Sequence, residues 1–109
     1  MASLTLGRSR ELAVTIASSA QTSSDVSIGS FHTFSIAIVA PATLTGVVTV
    51  HVSLDGSTFV ALQSAGADVT IAAGKAVVLS PFPFSHIRFV SSQAEGATRS
   101  FFLRGLPRV

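Results

Sequence analysis

Apolar and polar residues alternate with a period of two along much of this chain, the spacing of a strand whose side chains point to opposite faces. In residues 11–17, Leu12, Val14 and Ile16 share a face, with Thr15 opposed to them. Residues 32–39 bring Phe34, Ile36 and Ile38 together, and residues 47–54 set Val48, Val50, Val52 and Leu54 against Val47, Thr49, His51 and Ser53. No segment sustains the i, i+3, i+4, i+7 spacing of an amphipathic helix. The pattern predicts an all-β chain with one face of each strand in a core and a mixed face outside, as in an antiparallel sandwich.

Turn residues divide the alternating runs. Asp55-Gly56-Ser57 follows the third run and precedes Thr58-Phe59-Val60-Ala61-Leu62, which predicts one hairpin over residues 47–62, because Asp and Gly accept the positive φ of tight turns. Residues 68–71 and 75–79 flank Ala72-Ala73-Gly74 and predict a second hairpin. Pro81 and Pro83 interrupt the ladder around Phe82. A strand resumes over residues 84–91, with Ile87 and Phe89 on one face and His86 and Arg88 on the other. The last strand is expected over residues 99–104, closed by Gly105 and Pro107. About eight short strands with turns every 8 to 12 residues or so are the sequence form of a jelly-roll-like β-sandwich. No linker or internal repeat divides the chain, and the small-residue stretch 17–24 reads as a long loop, so residues 1–109 form a single expected domain.

Composition adds that the domain is short of charge. Hydrophobic residues make up 48% and charged residues 11%, against about 25% charged in an ordinary soluble chain. No run approaches the roughly 20 apolar residues of a membrane helix. Arg8, Arg10 and Glu11 stand where the apolar core of a signal peptide would have to lie. Synthesis in the cytoplasm is therefore expected, with no membrane partner. Without cysteine there is no disulfide frame or thiolate site. Six of the seven basic residues are Arg, five of them near the chain ends. Arg is favoured at protein interfaces, so Arg8, Arg10, Arg99, Arg104 and Arg108 are the candidate interface residues, set against a reading as solvated charge. A net charge of +2 gives little field for nucleic acid, which is not expected as a partner.

Candidate chemistry is sparse. The five acidic residues, Glu11, Asp25, Asp55, Asp68 and Glu95, each stand alone at a turn or strand end. His32, His51 and His86 have no short metal-ligand spacing. No Gly-x-Ser-x-Gly elbow or phosphate-binding loop is present, and the absence of Trp and Tyr removes the usual sugar platform. Phe82, Phe84, Arg88 and Phe89 come nearest to a base-stacking pattern, but phenylalanines alternating at strand spacing are core residues first. The expectation is a protein without catalytic residues, metal or cofactor, working by binding and assembly.

The segment Val47-Val-Thr-Val-His-Val-Ser-Leu-Asp-Gly-Ser-Thr-Phe-Val60 resembles the strand, Ser-x-Asp-Gly, aromatic, strand hairpin of small β-sandwich structural proteins of tailed-phage virions, and more loosely that of galactose-binding-like jelly rolls. Ala73-Gly-Lys-Ala-Val-Val-Leu-Ser, Phe84-Ser-His-Ile-Arg-Phe-Val-Ser-Ser92 and Phe101-Phe-Leu-Arg-Gly105 are similar in style, extending the resemblance over residues 43–105. It implies a capsid decoration or cement protein on the exterior of the virion, bound to the major capsid protein and often trimeric. Residues 1–10 and 105–109 are the expected contact arms. The alternatives are a phage tail, neck or baseplate component, a receptor- or carbohydrate-binding module, and a small ligand-binding sandwich with no viral role.

Overall fold

The alternating β-branched runs form strands, as branched side chains pack well on a pleated sheet. The computed structural model describes residues 4–5, 11–28, 33–80 and 82–107, with side chains over 12–28, 35–80 and 82–105. Its strands are Leu4–Thr5 (β1), Glu11–Ile16 (β2), Val26–Ser27 (β3), Thr33–Val39 (β4), Val48–Ser53 (β5), Val60–Ala61 (β6), Gln63–Ser64 (β7), Ala67–Asp68 (β8), Thr70–Ile71 (β9), Ala76–Leu79 (β10), His86–Ser91 (β11) and Arg99–Pro107 (β12).

These make a β-sandwich of two larger sheets. The first, sheet A, runs β1-β3-β11-β5-β6, with β9 also paired to β5; the second, sheet B, runs β10-β4-β12-β2. β6 and β9 lie along the same edge of β5, against His51–Val52 and Val48–Thr49 respectively. They act as one strand interrupted by the small β7–β8 hairpin. Taken so, and setting aside the short β1, the principal strands number eight in chain order and the sheets read 2-7-4-5 and 6-3-8-1, the strand order of a jelly roll.

The core lies between the sheets. Val48, Val50, Val52, Ile87 and Phe89 from sheet A meet Val14, Ile16, Ile36, Ile38, Phe101 and Leu103 from sheet B, all buried. Phe89 and Phe101 stack across the gap with ring centroids 4.8 Å apart and planes 23° from parallel. Among the described residues these two rings are the largest fully buried side chains, and the stack ties β11 to β12.

Local turn chemistry differs from the expectation in several places. The residue 47–62 hairpin forms, but β5 and β6 are joined by residues 54–59 and not by a two-residue turn. The Asp55 carboxylate accepts from the N–H groups of Ser57 and Thr58 at 2.8 and 3.0 Å, so a side-chain-closed turn replaces the ladder there. Leu54, expected in the core, lies past the strand end and is exposed. The tight hairpin is instead β7–β8, whose central residues Ala65 and Gly66 both have positive φ, 54° and 83°.

The expected hairpin around Ala72-Ala73-Gly74 is a crossing between sheets: β9 pairs with β5 in sheet A, and β10 with β4 in sheet B. Gly74 takes φ +70° in the corner, and its N–H donates to the Pro41 carbonyl at 2.7 Å. The last strand does not close at Gly105. It continues through Pro107 against β4, with the register shifting between Leu106 and Pro107, where proline supplies no N–H. Gly105–Pro107 is therefore ladder and not a free arm. In the other expected arm, Leu4 and Thr5 pair in parallel with Val26 and Ser27.

Candidate assembly surfaces

The outward face of sheet B carries one apolar row that crosses all four strands. Pairing registers place Ala76, Val39, Phe102 and Ala13 in one row and Val78, Ala37, Arg104 and Glu11 in the next. Apart from Glu11, these residues alternate with the core set and point away from it. Val39 is 48%, Val78 65% and Phe102 45% exposed, large values for apolar side chains on three successive strands of a sheet. Arg104 is exposed at the border of the patch. Among the described side chains it is the charged one on this face.

The outward face of sheet A is different in kind. Arg88 on β11 stands opposite His51 on β5, and His86 opposite Ser53. The Arg88 guanidinium lies 4.1 Å from the centroid of the Phe59 ring and 3.6 Å from Asp25. Its Nε is buried without a hydrogen-bond partner. Phe59 also meets His86 edge-on at 6.4 Å. Burial, with the nearby Arg88 charge second, lowers the His51 pKa against a smaller opposing pull from Asp68. Since Arg88 covers one side of the Phe59 ring, that side is not free to stack on a sugar.

At one end of the sandwich sits a buried carboxylate that its isolation in the sequence did not announce. Glu95 is 1% exposed. Its oxygens accept from Thr45 N at 2.8 Å, Gly46 N at 3.0 Å, Ser91 Oγ at 2.6 Å and Arg99 Nε at 2.9 Å. Its backbone carbonyl accepts from Ser19 N, and its N–H donates to the Ala20 carbonyl. One residue therefore pins three segments, around positions 19–20, 45–46 and 91–99. Burial alone raises a carboxyl pKa, but the hydrogen bonds from Ser91, Thr45, Gly46 and Arg99 outweigh it and hold Glu95 at about 2. On the exposed turn, Asp55 is also held at about 2, by the N–H groups of Thr58 and Ser57 and by Ser53.

This clip leaves no room beside Gly46, where an added Cβ would lie 2.5 Å from Ser91 Oγ and 2.8 Å from the Gln93 backbone nitrogen. Gly46→Ala is expected to lower stability by about 1–3 kcal/mol through that overlap. A thermal melt checks it, and an unchanged midpoint would show that the loop gives way freely.

The five candidate arginines separate. Arg8, Arg10 and Arg108 lie outside the described residues, as does His32. Arg99 is drawn into the clip, where it also donates to Thr45 Oγ1 at 3.1 Å, so it holds the fold and is not an exposed contact. Arg104 alone of the described candidates borders an open face. Sequence reasoning passed over Val39, Val78 and Phe102, which carry that face. The available signal was that the positions between core residues in β4, β10 and β12 are themselves apolar. Among the described residues no group of three or more His, Cys, Asp or Glu could hold a metal ion.

No protein-family model matches the chain, and no curated protein matches it in sequence. Among solved structures it is similar to one described as "Bacillus endospore appendages form a novel family of disulfide-linked pili". The two are 15% identical, with a TM-score of 0.51 over 91% of this chain and 87% of that chain. At that identity the likeness is one of fold, a second instance of the β-sandwich described above.

Proposed function

We propose that this chain is a structural protein of a phage virion, a capsid decoration or cement protein that binds and stabilises the lattice of the major capsid protein. The observation that carries an assembly role is the apolar outward face of sheet B, with Val39, Val78 and Phe102 standing in water in a chain that is 11% charged. Contiguous exposed apolar surface rimmed by polar residues marks interaction sites. The opposite face supports a second contact, since Arg88 stacked on Phe59 belongs to the residue types that dominate interface energies. A small rigid sandwich with two unlike faces suits a bridge between subunits. By binding the assembled lattice in preference to the separated subunits, over roughly 1,600 Å² for a standard contact, it raises the free energy needed to pull them apart.

A fibrous or tail-type particle component is the second reading, favoured by the fold likeness to a pilus. The absence of cysteine requires any such assembly to be non-covalent with respect to disulfides. Co-sedimentation with isolated phage capsids, with the molar mass measured by light scattering, tests the decoration reading. Binding at a fixed ratio to capsid subunits is the expected result. A protein that stays in the supernatant overturns it, and binding to purified tails instead favours the second reading.

A further inference from the structure

We infer that the open edge of the sandwich between β10 and β6 takes an extended segment of a partner protein, a strand with apolar residues at alternate positions that pairs antiparallel with β10. The inference goes beyond the decoration reading and does not need the particle to be a virion.

The core is incomplete along this edge. At the opposite edge of sheet B the inward residues Val14 and Ile16 have no exposed surface. On β10, Val77 and Leu79 face inward opposite the buried Ile38 and Ile36, yet they are only partly covered. On β6, Val60 faces inward opposite Val52, which is 2% exposed, and is itself 58% exposed. Two hollows lie in the gap, with Phe84 lining both. The first, of about 190 Å³, is lined by Leu62, Leu79 and Phe82. The second, of about 280 Å³, is lined by Val60 and Leu54 and ends at Asp55. Leu62 and Val60 stand two residues apart, so the hollows follow one another at about the 6.8 Å spacing of alternate side chains on a strand.

The backbone of β10 fixes what kind of group can bind. The Ala40 N–H donates to the Lys75 carbonyl at 2.9 Å, which makes Lys75 and Ala40 a hydrogen-bonded pair. Such pairs alternate with non-bonded ones along an antiparallel ladder. Val77 and Leu79 therefore bond to β4, and the N–H and C=O groups of Ala76 and Val78 point away from it. Among the described residues no strand pairs with that side of β10. Donors and acceptors at this spacing are matched by another extended backbone. A strand added there turns the residues opposite Val77 and Leu79 into the gap and those opposite Ala76 and Val78 outward, so its alternate side chains meet the hollows.

Charge sets the composition of that strand. Lys75 stands exposed at the start of β10, and Asp55 borders the hollow at the other end of the gap. Among the described residues none that lines the hollows between them is charged. The matching segment is apolar on its inward face, with a basic residue toward Asp55 and an acidic one toward Lys75. Running antiparallel to β10, it carries the basic residue at its amino end.

The probe is a synthetic peptide, Arg-Thr-Val-Thr-Leu-Thr-Val-Thr-Glu, titrated into the full chain. Saturable binding is expected, with amide hydrogen exchange slowed at Ala76 and Val78. Methylating the nitrogens of the two central threonines removes donors aimed at β10 and should weaken binding at least tenfold. Val78→Pro deletes an N–H that makes no bond within the sheet, a place where an edge strand tolerates proline. Val60→Lys puts a charge into the second hollow. Each variant should bind at least tenfold more weakly while melting close to the wild type, and Val39→Lys, on the outward face of sheet B, should bind as the wild type does. No saturable binding up to about 1 mM overturns the inference. So does binding that the methylated peptide keeps in full, which marks a merely apolar contact. A wild type at twice the chain mass of 11.2 kDa without peptide, returned to one by Val78→Pro, gives the edge to a second copy and also overturns it. Peptide binding with slowed exchange at Val78 stands even where capsid co-sedimentation fails, so the two readings fall separately.

Discussion

Phe101→Ala is expected to cost about 3–5 kcal/mol, the range for emptying a fully buried aromatic site. Phe101 has no exposed surface and stacks on Phe89, which is equally buried, so the ring is the contact through which sheet B meets sheet A at its centre. Its partners cannot collapse into the gap easily, because Val14, paired with it in register, and Phe89 are held by ladders on their own sheets. A chain of this size has a stability of about 5–15 kcal/mol, so the loss is a large fraction of the whole. Urea denaturation checks it through a lower midpoint at nearly constant slope. Phe89→Ala should lose a similar amount, and the double variant less than the sum, as both remove the same stack. A loss below about 1 kcal/mol for either single variant would mean the two sheets are held chiefly elsewhere.

Glu95→Gln is expected to cost about 2–4 kcal/mol even though the shape is kept. The carboxylate has four protein donors, and an amide presents one acceptor oxygen and an NH₂ group that faces the Arg99 or backbone donors. Its pH dependence has a definite sign. Since the folded pKa is about 2, below the ordinary 4.5, the ionised carboxylate adds stability that is fully present above pH 4.5. That contribution is lost as pH falls toward 2. Wild-type protein should therefore weaken between pH 4.5 and 2, and Glu95→Gln should weaken less over the same interval. Some acid sensitivity will remain in the variant, because Asp55 is lowered to about 2 as well. Urea midpoints at pH 7, 4 and 2.5 decide the matter. Equal acid slopes in the two proteins would show that the clip contributes nothing.

Much of the fold was legible because core burial is written at period two. Val48, Val50 and Val52 face inward and Thr49 and His51 outward as the alternation requires, and the same holds for Ile87 and Phe89 against His86 and Arg88. Strand partners were less legible. Residues 68–79 read as a hairpin because two alternating runs flank a small-residue turn, yet a pattern in one strand carries no information about which sheet completes it. The candidate interface residues were read from their type, as arginines, and only Arg104 of those described lies at an open face. Its apolar neighbours were passed over because an alternating chain seen in one dimension does not reveal that outward Val39, Val78 and Phe102 come from three strands that lie side by side.

What the sequence determined by itself is local: strand-forming alternation, the break at Asp55-Gly56, the absence of a helix pattern, and a supply of charge too small to cover every face. What only the tertiary structure decided is non-local. The jelly-roll strand order depends on ladders between residues as far apart as Leu12 and Leu103. Glu95 becomes a fourfold acceptor only when Thr45, Gly46, Ser91 and Arg99 converge on it. Hydrogen bonding and burial are properties of neighbours in space, and a β-sandwich draws those neighbours from distant parts of the chain.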